Sequence, residues 1–457
     1  MHLRQTERAL CTDLYELTMA AAYFELGMTR PAAFELFVRE LPPNRSYLVT
    51  AGLEQALSYL QELHFTGEQI DYLRGLPVFD RIEDGFFDLL ADFTFSGTVR
   101  AMPEGALAFG DEPILRVEGP IIEAQLVETF LLSMINYQTL VATKAARVVQ
   151  AANCDGRERG VVDFGARRAH GPDAAVLAAR ACFIGGCIAT SNVEAGAQMG
   201  IPVSGTEAHS YIMAFETEEE AFRGYYNCFG EHAILLIDTY DTLEGARTAA
   251  RVAPEMRGVR LDSGDLVELS RQVRRILDEE GREDAMIFAS GDLDEYRIRD
   301  MIEAGALVDG FGVGTKMVTS RDAASLGGVY KLVAVQRDGR WEPRLKLSED
   351  KATYPGMKQV HRFRDPDTGQ MERDVIAAAE EDCPDGAEPV LQTVMEEGEP
   401  TADLPSLEEI QQRAADNLSN LPQPYRRLAD AEEYPVEVSQ VLRDRFERLA
   451  KAMEQGA

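Results

Sequence analysis

His209 is the first residue of this chain to which chemistry can be assigned, because of the string that carries it: Ile201-Pro202-Val203-Ser204-Gly205-Thr206-Glu207-Ala208-His209-Ser210. A short apolar run stops at small residues that allow a sharp turn, and an imidazole follows, as where a barrel strand hands over to an active-site loop. An imidazole can carry protons or attack a phosphoryl group, and it can equally be a satisfied packing residue. Recurrence of the arrangement favours chemistry. Val161-Val162 runs into Asp163-Phe164-Gly165-Ala166-Arg167-Arg168, Cys187-Ile188-Ala189 into Thr190-Ser191-Asn192, and Ala233 to Ile237 into Asp238-Thr239-Tyr240-Asp241-Thr242. Val259-Arg260-Leu261 then runs into Asp262-Ser263-Gly264-Asp265, Met286 to Ala289 into Ser290-Gly291-Asp292, and Gly310-Phe311 into Gly312-Val313-Gly314-Thr315.

Most of these runs are followed by helical patterns, such as Asp265 to Leu277 and Asp292 to Ala304, and strands alternating with helices predict a parallel sheet. Polar groups gathered at one end of every strand predict a barrel with its site at the carboxyl-terminal mouth. Earlier in the chain, Thr12 is expected to cap a helix from Asp13 to about Met28, with Leu14, Leu17, Ala21 and Phe24 toward the core. Tyr15 lies off that stripe, where it can either stack on a flat ligand or simply pack. A strand is expected from Ala32 to Val38, a turn at Pro42-Pro43-Asn44, a helix after Gly52, and short antiparallel strands between residues 95 and 118. A long helical stretch from Ile121 to about Ala152 leads into the barrel. Beyond Gly312, strands are expected at Val329 to Val335, Trp341 to Leu347 and Gln359 to Phe363, surface loops and a hairpin over 365–406, and a mainly helical tail from Leu407 to Met453. The carboxyl-terminal part is expected to fold back onto the amino-terminal β-rich part.

At 457 residues the chain exceeds the usual size of one core, which implies two domains. Six cysteines without a Cys-x-x-Cys pair read as reduced thiols and argue against a zinc site. The polar start, Met1 to Ala9, does not read as a signal peptide, and no apolar run reaches membrane-spanning length, so a cytoplasmic protein is expected. A net charge of −32 disfavours nucleic acid and anionic membrane as partners. The acidic, lysine-poor, arginine-rich surface fits either a high-salt environment or a GC-rich genome. Of the lysines (Lys144, Lys316, Lys331, Lys346, Lys351, Lys358, Lys451), five fall between 316 and 358, where phosphate would be a natural counter-charge; a solvated charged hairpin is the alternative.

Together these strings resemble the nicotinate phosphoribosyltransferase family. The resemblance begins at Thr12-Asp13-Leu14-Tyr15-Glu16-Leu17-Thr18-Met19, continues through Thr139 to Arg147 and Asp163 to Gly171, and takes in Gly205 to Ser210, Asp238 to Thr242, Arg260 to Asp265 and Lys346 to Lys358. It implies an irregular α/β barrel (residues 121–335) joined to an α/β sandwich built from both chain ends (1–120 and 336–457, the latter with a flap and helical tail), usually as a homodimer with shared active sites. It also implies conversion of nicotinate and phosphoribosyl pyrophosphate to nicotinate mononucleotide and pyrophosphate in NAD biosynthesis, coupled to ATP hydrolysis through phosphorylation of His209. Asp262 is implied as a second catalytic residue. Arg260, Arg167, Phe164, Thr206 and Ser210 would surround nicotinate, whose carboxylate matches a guanidinium fork, with Tyr15 of a second subunit stacking on its ring. Ser290, Gly291, Gly312, Gly314 and Thr315 would hold phosphate, with Lys346, Ser348, Lys351 and Lys358 reaching from a mobile flap. Magnesium would ride mainly on donor phosphates, with Asp262 and Asp292 as protein ligands. Rival readings are a nicotinamide or quinolinate enzyme, a lyase or isomerase using His209 as proton shuttle, and a non-catalytic barrel scaffold.

Overall fold

A computed structural model of the chain describes residues 8–346 and 353–456. The chain divides into two compact units, one made of Met1–Leu140 with Ser325–Ala457 and the other of Val141–Ala324. Helix Glu128–Ala152 carries the chain from the first unit into the second.

In the second unit six strands form one parallel sheet: β1 Gly160–Asp163, β2 Ala189–Thr190, β3 Ile234–Leu236, β4 Gly258–Leu261, β5 Met286–Ala289 and β6 Gly310–Val313, in the order β2-β1-β6-β5-β4-β3. Their residues are buried almost throughout, as expected of a parallel sheet covered by crossover helices. Register fixes a common rim, since Ala289 pairs with both Leu261 and Phe311, so Asp262, Ser290 and Gly312 emerge at one level. The run Ile201-Pro202-Val203, expected to be a full strand, contributes only a single parallel bridge, Thr190 to Val203. The barrel is therefore irregular. Glu207 crosses the open side, its Oε1 accepting from the backbone N–H of Leu236, 2.6 Å away. Gly310 and Gly312 lie inside β6, where a Cβ would strike the rings of Phe288 and Phe164 at 2.9 and 2.4 Å. Absence of those side chains lets the two rings pack against the strand, with centroids 5.7 Å apart.

The first unit interleaves the two ends of the chain. Its seven-stranded antiparallel sheet sets Pro31–Val38 between Gly328–Arg337 and Pro113–Pro120, and pairs Thr98–Ala101 with Gln392–Glu396. A four-stranded sheet is built from Ala387–Pro389, Lys358–Arg364, Met371–Ala378 and Val436–Val438. Met371–Ala378 falls in a stretch expected to hold surface loops and a hairpin. Its acidic composition hides a buried residue, Asp374, whose carboxylate takes Arg362 as partner at 2.6 Å. The tail has helices Leu407–Asn420 and Gln440–Gly456.

The first helix runs Leu14–Glu25. Asp13 rather than Thr12 occupies its cap, because Thr12 turns its hydroxyl to Glu16. Leu14 is exposed at 51 %, against the expectation of a core residue, while Leu17 and Ala21 are buried.

Candidate active site

Each functional group on the rim of the parallel sheet is carried by the first residues after a strand, where the backbone leaves the hydrogen-bonded ladder and side chains are free to converge. After β3 come Asp238 and Thr239, after β4 Asp262 and Ser263, after β5 Ser290 and Gly291, and after β6 Gly314 and Thr315. Some acidic residues of these loops have another task. Asp241, Asp265 and Asp294 cap the helices that follow, each accepting from backbone N–H groups of the first turn.

His209 opens the short helix His209–Ile212 and is about 40 % exposed. Its Nδ1 lies 3.1 Å from Thr239 Oγ1, and its Nε2 stands 4.0 Å from Asp238 Oδ1 and 3.9 Å from Asp262 Oδ2. Those carboxylates are near enough to act on a positive imidazole but too far for a direct hydrogen bond. Asp238 is itself held: Oδ2 accepts from the Asp262 N–H at 3.0 Å and from Ser263 Oγ at 2.6 Å, whereas buried Oδ1 has no hydrogen-bond partner among the described residues. Asp262 Oδ1 accepts from Ser290 Oγ at 2.5 Å. Asp262 thus touches the imidazole side with one oxygen and the β5 loop with the other.

Arg260, on β4, donates from Nη1 to Thr206 Oγ1 at 2.5 Å, and its buried Nε has no hydrogen-bond partner among the described residues. Burial pulls the guanidinium below its ordinary pKa, opposed by the negative charges of Asp262, Glu207 and Asp238. A buried cation with an unused donor, at a rim open to ligand, is suited to a carboxylate.

A cavity of about 390 Å³ is lined by Phe164, Arg167, Arg168, Asp262, Ser263, Ser290, Gly291, Asp292, Leu293, Arg297, Gly312, Gly314 and Thr315. It therefore gathers Phe164, Arg167 and the expected phosphate residues of this unit in one place. Gly291 has φ +98°, and a Cβ there would lie 2.0 Å from the Asp262 carbonyl oxygen, so glycine is what allows the two loops to touch. Asp292 adopts φ +48° beside it. Helix Thr315–Val318 presents first-turn N–H groups with no intrahelical acceptor. His209 and Arg260 are not on this wall; Asp262 links them to it. Ser210 is exposed one residue beyond His209.

In the first unit, Tyr15 is 47 % exposed, and its phenol is pushed up by burial and by Glu128, to which it donates a hydrogen bond. Lys346 shares a cavity of about 250 Å³ with Arg39, Lys331, Arg344 and Thr353, a basic surface in an acidic chain. Lys358, expected on a mobile flap, is instead buried in a strand: Nζ is 2.6 Å from Glu35 Oε2 and donates to the carbonyls of Tyr354 and Gly356. Its alternation within a β-strand turns it inward, and its charge is already matched there. Lys351 and Ser348 lie outside the described residues.

Sequence reasoning passed over Asp238 and Thr239 as individual site residues, and over Arg168, Ser263 and Arg297. The signal for the first two was present, since theirs was the one acidic strand end left without a role. Glu207 gave no signal, because its part depends on an unpaired edge that only the fold creates.

Among the described residues no group of three or more His, Cys, Asp or Glu side chains is arranged to hold a metal ion. Two rim carboxylates, Asp262 and Asp292, fit an ion that brings most of its ligands as water and phosphate.

The profile described as the nicotinate phosphoribosyltransferase N-terminal domain matches residues 10–136, that of the nicotinate phosphoribosyltransferase family matches 160–374, and that of the corresponding C-terminal domain matches 383–445. The chain is 44 % identical over 460 residues to nicotinate phosphoribosyltransferase pncB2 of Mycobacterium tuberculosis, covering 99 % of this chain and 96 % of that one. It is 42 % identical over 463 residues to the Bacillus subtilis nicotinate phosphoribosyltransferase, covering 94 % and 93 %. The crystal structure of human nicotinic acid phosphoribosyltransferase superposes with a TM-score of 0.84 at 31 % identity, over 96 % of this chain and 99 % of that one. With both units matched along nearly their whole length, and with an imidazole, a carboxylate-ready arginine and a glycine-lined cavity on one rim, this chain belongs to the nicotinate phosphoribosyltransferase family.

Proposed function

We propose that this protein joins nicotinate to the phosphoribosyl group of phosphoribosyl pyrophosphate, releasing pyrophosphate, and that ATP drives the reaction through a phosphohistidine at His209. The observation that carries the reading is the position of Asp262, between the imidazole on one side and the Ser290–Gly291 wall of the cavity on the other. In the neutral tautomer with the proton on Nδ1, facing Thr239, the Nε2 lone pair is free to attack the γ-phosphorus of ATP. The N–P bond forms as the bond to the bridging oxygen breaks and ADP leaves; water later cleaves the N–P bond. Arg260, with Arg167 near it, receives the nicotinate carboxylate, while Phe164 and a Tyr15 contributed across a dimer interface take the faces of the ring. The ring nitrogen then forms its bond to the ribose carbon as pyrophosphate departs, a step in which positioning and neutralised phosphate charge do most for the rate. Backbone N–H groups at Gly314 and Thr315 suit the 5-phosphate, and Lys346 suits pyrophosphate. Magnesium, held by Asp262 and Asp292 together with phosphate oxygens, would screen that charge. No described helix is long and apolar enough to cross a membrane, and a cytoplasmic location fits substrates of this kind.

Supplying purified protein with phosphoribosyl pyrophosphate and either nicotinate or nicotinamide, with and without ATP, tests the reading. Nicotinate mononucleotide should form from nicotinate, faster with ATP and with ADP released alongside. Preference for nicotinamide, or no ADP release during turnover, would overturn it.

A further inference from the structure

The first unit holds a cavity that the proposed reaction does not use. It measures about 460 Å³, a size suited to a small metabolite, and is lined by Arg100, Arg116, Glu118, Ala334, Trp341, Pro343, Gly356, Met357, Ala379, Glu380, Arg445 and Arg448. One side is flat and apolar: Trp341 and Met357, both partly buried, pack against Ala33, Val333 and Ala334. The other carries guanidinium groups. Arg116 is committed to Glu118 at 2.8 Å and to the Lys358 carbonyl, and Arg445 to Glu380. Arg100 is held more loosely: its buried Nε pairs with Glu118 at 3.4 Å but makes no hydrogen bond among the described residues. Arg448, exposed and one helical turn beyond Arg445, pairs with no carboxylate among the described residues. Gly356 lines it with a left-handed backbone at φ +91°, a conformation that favours glycine.

Four guanidiniums face two carboxylates in a chain of net charge −32, so the cavity is a local exception to an acidic surface. An indole beside guanidinium donors that hydrogen bonds do not use up matches a flat heteroaromatic ring that carries phosphate. We propose that this cavity is a nucleotide-binding site, with the base on Trp341 and the phosphate on Arg448 and Arg100. A cell's nucleotide pool could then act on the enzyme from a second site. The assignment stands on the first unit alone and does not depend on the chemistry read in the second.

Trp341 is the single tryptophan of the chain, so intrinsic fluorescence reports on the cavity without a label. Wild-type protein would be titrated with AMP, GMP and CMP, and with ribose 5-phosphate and adenosine as the phosphate and base halves alone. The nucleotides should give saturable changes, with each half binding about tenfold or more weakly. Arg448→Ala, a change at an exposed side chain, should weaken the nucleotides by about tenfold while leaving turnover in their absence unchanged. Arg100→Ala should act in the same direction, and calorimetry with AMP gives a readout independent of the indole. Flat titrations with all three nucleotides, ribose 5-phosphate binding as well as AMP, or unaltered affinity in both arginine variants would each overturn the assignment. Loss of product formation in the wild type would instead bear only on the proposed reaction.

Discussion

Substituting Gly291 by alanine should disable the site without a change to any side chain that touches substrate. The added Cβ would sit 2.0 Å from the carbonyl oxygen of Asp262 and 3.0 Å from its carbonyl carbon, where real Cβ atoms stay beyond 3.0 Å. Strand ends β4 and β5 must therefore separate by at least 3.0 − 2.0 = 1.0 Å. Asp262 would carry that displacement into both of its contacts, Oδ2 to His209 at 3.9 Å and Oδ1 to Ser290 at 2.5 Å. A misplacement of about 1 Å in a catalytic group costs on the order of 100-fold in rate. The left-handed backbone at φ +98° adds about 1–2 kcal/mol of strain for alanine. Gly281 supplies the control, because it also has positive φ, at +69°, but a Cβ there meets nothing within 4 Å. Gly281→Ala should lose comparable stability in a denaturant titration and keep its kcat, while Gly291→Ala loses both. Equal kcat for Gly291→Ala and wild type would refute the claim that contact between the two loops sets the position of Asp262.

Three other perturbations bear on separate links. His209→Asn should abolish ADP release coupled to product formation while leaving phosphoribosyl pyrophosphate binding intact; a coupled ADP assay reads it, and stoichiometric ADP from the variant would remove the phosphohistidine. Arg260→Ala should raise the KM for nicotinate by about 10- to 100-fold, the worth of one charge-assisted contact, with a smaller effect on the KM for the phosphoribosyl donor. Burial pushes the Glu16 carboxyl from its ordinary 4.5 up to about 7, although Thr12 and Thr129 donate to it. A raised folded-state value means stability that is fully present below pH 4.5 and is lost as pH rises through about 7. Glu16→Gln should flatten that decline, and an unchanged slope of unfolding free energy against pH over this interval would contradict the burial argument.

The parallel sheet was legible because its strands are continuous apolar runs ending in glycine, serine or aspartate, a pattern set by burial on both faces. Gly312 was legible as a residue of the cavity but for only part of its reason: the ring of Phe164 occupies the space a Cβ would take. Thr206 was read as lying near nicotinate, and the structure gives it a partner, Arg260. Lys358 misled, because lysine is so rare here that its presence suggested a ligand. A buried Glu35 on a strand of the seven-stranded sheet, far away in sequence, was the true reason for the charge. Asp374 misled in the opposite way, its acidic surroundings hiding a strand whose core face carries an ion pair with Arg362. Both errors share one cause. Buried ion pairs invert the rule linking charge to surface, and the partner that permits the inversion is invisible until the strands and sheets are assembled.

Glu207 joins fold and candidate site more directly than any other residue of the rim. The bridge at Thr190 and Val203 is followed by no further ladder, so β3 would present an unsatisfied N–H at Leu236. Glu207 Oε1 accepts that N–H at 2.6 Å, two residues before His209. Its other oxygen is buried without a hydrogen bond among the described residues, and burial raises its pKa against the pull of Arg260. Glu207→Ala removes the acceptor and strands a buried N–H, a loss of about 1–3 kcal/mol. It should also loosen the loop that holds His209, lowering kcat more than it raises any KM. Glu207→Gln keeps an acceptor oxygen in the same place and should restore most of both quantities. If the alanine variant unfolds at the wild-type denaturant concentration, the open edge is sealed by something else, and the position of His209 must be explained from Thr239 and Asp262 alone.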